Sequence, residues 1–227
     1  YRIEADAQRR DQQVEVRSAR VRAQGGELAF AGRVALTGRQ PFSAEGSVSR
    51  FDPAAFGDFP RAQLNGTFKA SGSLAPQWAA SVALVVGDRS RFRGAPLAGG
   101  ATFDVSEQRV ANADVALRLG ANRLNAKGSF GNPGDRLAWN VAVTEPAVIH
   151  QPLAGRLVAE GVLEGTVARP AGSLTLEGKG LRWGSDLAIA DVTGSGSIAR
   201  GLEGDIRLAV KARDLKSVGL SYVGISL

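Results

Sequence analysis

Apolar and polar residues alternate one for one along most of the chain. In 122–130 (NRLNAKGSF), Leu124, Ala126, Gly128 and Phe130 stand two apart; a Gly131-Asn-Pro-Gly134 turn follows, and the alternation resumes with Leu137, Trp139, Val141 and Val143. A period of two puts these residues on one face of a sheet, with Arg123, Asn125, Lys127, Arg136 and Asn140 on the other. The segment therefore reads as strand, turn, strand. The same pattern predicts strands over 13–16, 20–23, 27–36, 42–48, 62–74, 78–86, 97–105, 113–119, 123–130, 137–143, 157–167, 173–176, 187–198, 204–212 and 220–227. No helical stripe of useful length is present. Short turn signals such as Gln24-Gly-Gly26, Gly38-Arg-Gln-Pro41 and Arg169-Pro-Ala-Gly172 favour antiparallel neighbours. Only 52–59 (DPAAFGDF) and 145–153 (EPAVIHQPL) are longer excursions, predicted as a helical turn or a loop over a sheet edge.

Those excursions belong to a repeat. Asp52-Pro53 matches Glu145-Pro146, Leu64 matches Leu157 and Gly72 matches Gly165, each 93 residues on. Leu28, Gly32 and Val34 map onto Leu124, Gly128 and Phe130 with a shift of 96, a drift that turn insertions produce. The chain thus reads as one continuous segment, 1–227, of about two and a half repeats of ~90 residues with no domain boundary. Within strands, large aliphatics alternate with small residues: Leu64, Gly66, Phe68, Ala70, Gly72, Leu74, and again Leu157, Ala159, Gly161, Leu163, Gly165, Val167. Glycine inside a strand marks a bend, a bulge or a close approach. One apolar face without helices to cover it leaves two architectures, a two-sheet sandwich or one long sheet folded into a trough. Small inward residues leave space unfilled, which favours a groove that holds something apolar.

Composition narrows the chemistry. The apolar share is 44%, enough for a folded chain, and aromatics are only 6%, so aliphatic side chains carry the apolar face. Cys and Met are absent and His150 is the single histidine, which excludes disulfides and Cys/His zinc sites. The net charge of +6 permits nucleic acid or anionic membrane as partners, but the arginines are scattered along every segment. Even the densest run, 88–93 (DRSRFR), lacks the interleaved stacking aromatics of a nucleic-acid surface, so no nucleic acid is expected. The longest apolar run, 79–86, is far below the ~20 residues that span a bilayer. His150 has no serine motif beside it, and the carboxylate pairs Glu160/Glu164 and Asp186/Asp191 read as solvent-side residues. The 193–201 run (TGSGSIARG) lacks phosphate-loop spacing. No cofactor, no metal and no enzyme activity is expected.

A family likeness enters on specific strings. LNGTFKASGSLAP (64–76), GANRLNAKGSFGNPGDRLAWNVAV (120–143), AGRLVAEGVLEGTVARP (154–170) and GSLTLEGKGLRWGSDLAIADV (172–192) resemble the repeats of the TamB (translocation and assembly module) family, within the wider AsmA-like group of repeating β-groove proteins. The resemblance implies an all-β, elongated, repetitive and mostly antiparallel sheet curled into an apolar-lined groove, a β-taco. It implies a periplasmic location in a diderm bacterium, with an inner-membrane anchor outside this sequence. It implies lipid transport: a bridge that shields phospholipid acyl chains between inner and outer membranes. The outer-membrane partner it implies is a TamA-like barrel of the Omp85 type, reached through the full-length protein.

On that reading the groove would be lined by Leu28, Phe30, Val34, Leu64, Phe68, Leu97, Phe103, Leu117, Leu124, Phe130, Leu137, Trp139, Val141, Leu157, Leu163, Leu187, Ile189, Ile198, Ile206 and Leu208. Ordinary core packing is the alternative for each. The alternative for the whole is an assembly factor that takes outer-membrane protein strands on its edge by β-augmentation. A structural β-solenoid stalk would instead show a dry, filled core.

Overall fold

The computed structural model describes residues 1–199, 206–217, 220–222 and 225–226. It divides into two compact units, 1–117 and 118–227. The first contains β1 (Arg2–Arg10), β2 (Gln13–Ala23), β3 (Gly26–Ala35), β4 (Pro41–Phe51), β5 (Ala62–Ser73), β6 (Ala79–Phe92), β7 (Ala95–Ser106) and most of β8 (Arg109–Leu119). The second contains β9 (Asn122–Phe130), β10 (Arg136–Val143), β11 (Leu153–Gly165), β12 (Pro170–Trp183), β13 (Leu187–Ile198) and β14 (Ile206–Arg213). The short β15 (Leu215–Ser217), β16 (Leu220–Tyr222) and β17 (Ile225–Ser226) follow. The two long excursions each hold one helical turn, a 3-10 turn at Pro53–Ala55 and α1 at Pro146–Ile149. The expected strands 204–212 and 220–227 lie partly outside the described residues.

In the first unit antiparallel ladders run in chain order from β1–β2 to β6–β7. In the second they run from β9–β10 to β13–β14. Two-residue turns set this order. Gln24-Gly25 and Arg93-Gly94 both sit in the left-handed region, the hairpin geometry that matches the twist of the flanking strands. Two expected strands, 13–16 and 20–23, are a single strand, β2, whose register shifts between Val16 and Ala19. The sequence pattern missed β1, where Ile3 is the one large apolar residue among Ala5 and Ala7.

The expected curl into an apolar groove is not found. Within each unit the strands form one open layer. No ladder among the described residues joins a unit's last strand back to its first, and the sheet does not fold over strongly onto its apolar face. The sandwich is absent too: among the described residues the only buried apolar side chains are Ala19, Ala101, Ala111 and Ala113. The reason lies in the glycines, expected to bend the sheet or leave space. A Cβ on Gly66 would lie on the carbonyl oxygen of Val85, and one on Gly72 on that of Ala79. Elsewhere the space is filled from the side: the position of a Gly161 Cβ is 2.8 Å from Trp139 Cζ2, and that of Gly178 is 2.7 Å from Leu181 and from Val192. These glycines admit a neighbouring strand or a reclining side chain, so the space expected above them is taken up.

Candidate functional site

Directly opposed residues in an antiparallel ladder share a face, so the registers assemble the apolar surface row by row. In the first unit one row is Ala19, Phe30, Gly46, Phe68, Leu84 and Ala101. The rows beside it run Leu28, Val48, Gly66, Val86, Gly99 and Gly32, Ala44, Ala70, Val82, Phe103; a further one begins Val34, Phe42, Gly72. In the second unit one row is Gly128, Leu137, Leu163, Gly172, Ile198 and Ile206, the next Ala126, Trp139, Gly161, Leu174, Gly196 and Leu208. A third runs Leu124, Val141, Ala159, Leu176, Gly194 and Val210. In the Trp139 row large and small alternate across the strands as well as along them, whereas elsewhere large residues meet, Phe68 against Leu84 and Leu137 against Leu163.

Most of the residues singled out from the sequence fall into these rows. Leu157 is opposite Val143 and Gly178, Leu187 opposite Trp183, and Ile189 opposite Leu181. Leu64 faces Phe51 next to a register shift, and Leu97 faces Ser90. Leu117 lies on β8 and Phe130 at the end of β9. The same rows include Val48, Leu84, Leu174 and Leu176, which alternation alone did not single out; only the cross-strand register places them. The surface is uncovered: Leu84 and Leu163 are each 40% exposed, and Leu208 is 64% exposed.

The opposite face is polar and paired. In the second unit Arg136 binds Glu164 at 2.6 Å, Arg213 binds Asp191 at 3.1 Å, and Asn125 donates to Asn140 Oδ1 at 2.9 Å. Exposed pairs of this kind add less than about 1 kcal/mol each. In the first unit a recess of about 860 Å3 includes Glu15, Arg33, Glu45, Lys69, Ser81, Asp104 and Asn112 in its lining; of the twenty residues expected to line a groove it holds Phe103 alone. Within it Asp104 accepts hydrogen bonds from Ser81 Oγ (2.5 Å) and Asn112 Nδ2 (2.7 Å), which hold its carboxyl below the ordinary range. Gly32, Ala44, Ala70, Val82 and Phe103, one of the apolar rows, also belong to its lining, so this concavity mixes charge and hydroxyls with apolar positions.

Two corners position the strands that follow them. Asp52 accepts from the amides of Ala54 (3.0 Å) and Ala62 (3.1 Å), closing the loop that leads into β5. Asn122, 5% exposed, accepts from the amides of Thr144 and Glu145 (2.8 Å each) and donates to the Glu145 carbonyl (2.9 Å), which fixes the entry into α1 and β11. His150 ends α1 and rests against Trp183, ring centroids 5.6 Å apart, and among the described residues no carboxylate or serine hydroxyl is bonded to it. Glu164, read from the sequence as a solvent-side residue, is ion-paired with Arg136. Among the described residues no group of three His, Asp or Glu side chains could hold a metal ion, and no helix is long and apolar enough to cross a membrane.

A family model described as "TamB, N-terminal domain" matches residues 1–227. Neither the curated proteins nor the solved structures contain a match.

Proposed function

Since the chain belongs to the TamB N-terminal domain family, we propose that it is a lipid-shielding segment of a periplasmic bridge between the inner and outer membranes of a diderm bacterium. On this reading the rows of Leu, Val, Phe and Trp meet phospholipid acyl chains directly, on an open sheet face. The observation that carries the proposal is the uncovered state of those rows, with Leu84, Leu163, Leu174, Leu187 and Leu208 all exposed. A methylene fully removed from water is worth ~0.8 kcal/mol; against an open face about half of that applies, so a dozen methylenes give roughly 5 kcal/mol. That is enough to hold a lipid and still release it. The role is non-enzymatic. The chain would be one continuous stretch of the repeat region of a longer protein, held at the inner membrane by a segment outside this sequence. The full-length protein would work with TamA-type outer-membrane machinery.

The test is a photoreactive residue placed at Leu137, on the apolar face, or at Arg136, on the polar face, in the full-length protein in cells. Phospholipid captured at 137 and none at 136 is the expected outcome. Protein adducts at 137 without lipid would replace this reading with the strand-accepting assembly factor.

A further inference from the structure

Antiparallel order brings the start of β1, the 24–25 turn, the 52–61 loop and the 93–94 turn to one end of the first unit. That end carries exposed aromatics on a built support. Phe56 stacks on Phe51 at 5.3 Å and meets Tyr1 at 5.7 Å, while Phe59, 58% exposed, follows in the loop between Asp58 and Pro60. The loop is tied down at both sides by the Asp52 carboxylate, through the amides of Ala54 and Ala62. Tyr1 also borders a recess of about 680 Å3 whose lining includes Arg2, Arg22, Glu27, Ser49 and Arg50.

Charge at this end leans positive: Arg2, Arg22, Arg50, Arg61 and Arg93 outnumber Glu4, Glu27, Asp52 and Asp58, the last exposed beside Phe59. Glu4 pairs with Arg2 and Arg22, and Glu27 with Arg22. Asp52 is occupied by backbone amides, whereas Arg50, Arg61 and Arg93 form no ion pair among the described residues. Arginine is the side chain best shaped for phosphate oxygens, and aromatic rings settle at the level of lipid headgroups. We infer that this end of the first unit is a contact site for a bilayer surface carrying anionic phosphate headgroups. Phe56 and Phe59 enter the headgroup layer, and Arg50, with the recess behind it, takes the phosphates. A protein partner is disfavoured because a stable interface needs about 800 Å2 a side, more than two aromatics on a loop tip supply. The inference does not rest on the apolar face as a lipid carrier, since the tip is a loop outside the cross-strand rows.

The experiment is vesicle flotation of the full chain at low salt. Phosphatidylglycerol/phosphatidylethanolamine vesicles are compared with neutral phosphatidylcholine vesicles, for the parent chain, Phe56→Ser/Phe59→Ser, Arg50→Gln/Arg61→Gln and Leu137→Arg. Each cation near an anionic surface is worth about fivefold in partitioning, so the arginine pair should lose about 25-fold. The expected result is flotation with anionic vesicles only, lost in both tip variants and kept in Leu137→Arg. The arginine variant alters exposed side chains only, so it reports even if the phenylalanine variant fails to fold. Equal flotation with neutral vesicles, no flotation of the parent chain, or tip variants that float like the parent would overturn the inference. Loss in Leu137→Arg alone would also overturn it, and would leave the lipid-shielding proposal standing. A protein captured at the tip while vesicles are ignored would replace the bilayer with a protein partner.

Discussion

The corner after β4 and the corner after β10 match in sequence, Asp52-Pro53 against Glu145-Pro146, yet different atoms hold them. In the first unit the acid itself is the anchor, its carboxylate accepting from Ala54 and Ala62. In the second, Glu145 makes no side-chain cap, and the buried Asn122, brought in from β9, does the tying. The ladder breaks just after each corner, again by different means. Ser90, fully buried, bonds the amide and carbonyl of Asn65 through its hydroxyl (2.9 and 2.8 Å), whereas Gly155 absorbs the shift with a φ of +102°. What the repeat preserves is the path of the backbone, set by proline at the first helical position. The hydrogen-bond accounting that every buried backbone group demands is met locally, with whatever side chain is in reach.

That contrast ranks three substitutions. Asn122→Ala should be the most damaging, at about 3 kcal/mol, because it leaves two amides and a carbonyl of the second corner without partners. Fast hydrogen exchange at Thr144 and Glu145, with the Ala54 and Ala62 amides unaffected, is the expected signature; protection retained at 144 and 145 would show that the corner holds without Asn122. Asp52→Ala should cost about 1.5 kcal/mol, the range of a lost N-cap, with Asp52→Asn recovering most of it in urea unfolding. Glu145→Ala, although it changes the residue that matches Asp52, should cost no more than about 0.5 kcal/mol, since it removes only the exposed 3.2 Å contact from the Ala121 amide. If Glu145→Ala proves as harmful as Asp52→Ala, the two corners are held alike and the distinction drawn between them fails.

Much of this was legible in the sequence. Period-two alternation has one physical meaning, so the strands from β3 to β14, their apolar positions and the two corner excursions could be read directly, although β12 was expected only over 173–176 and β15 not at all. Residues 220–227 and 204–205 aside, the misreadings came where local pattern has several meanings. Gly66, Gly72, Gly161 and Gly178 could mark a bend, an empty space or a close approach, and only the register shows that Val85, Ala79, Trp139 and Leu181 take up the room. The unfilled space that favoured a groove is therefore absent at these positions. Asn122 could not be recognised as an anchor, because its partners Thr144 and Glu145 lie more than twenty residues away in the sequence. The aromatic tip was hidden similarly: Tyr1, Arg22, Arg50 and Phe56 become neighbours only through strand order.

The alternation of large and small residues in the Trp139 row also bears on how a repetitive chain avoids folding wrongly. Where every strand resembles the next, a slip of one residue is prevented by polarity, because it would turn the apolar side chains to the polar face. A slip of two residues keeps each side chain on its own face, and polarity cannot forbid it. Here size does at particular positions: moving β10 by two against β11 would set Trp139 against Leu163 in place of Gly161, whose Cβ position the indole already occupies. Such positions act as a proofreading code written in side-chain volume, by which a strand distinguishes its proper alignment from the near-identical ones on offer.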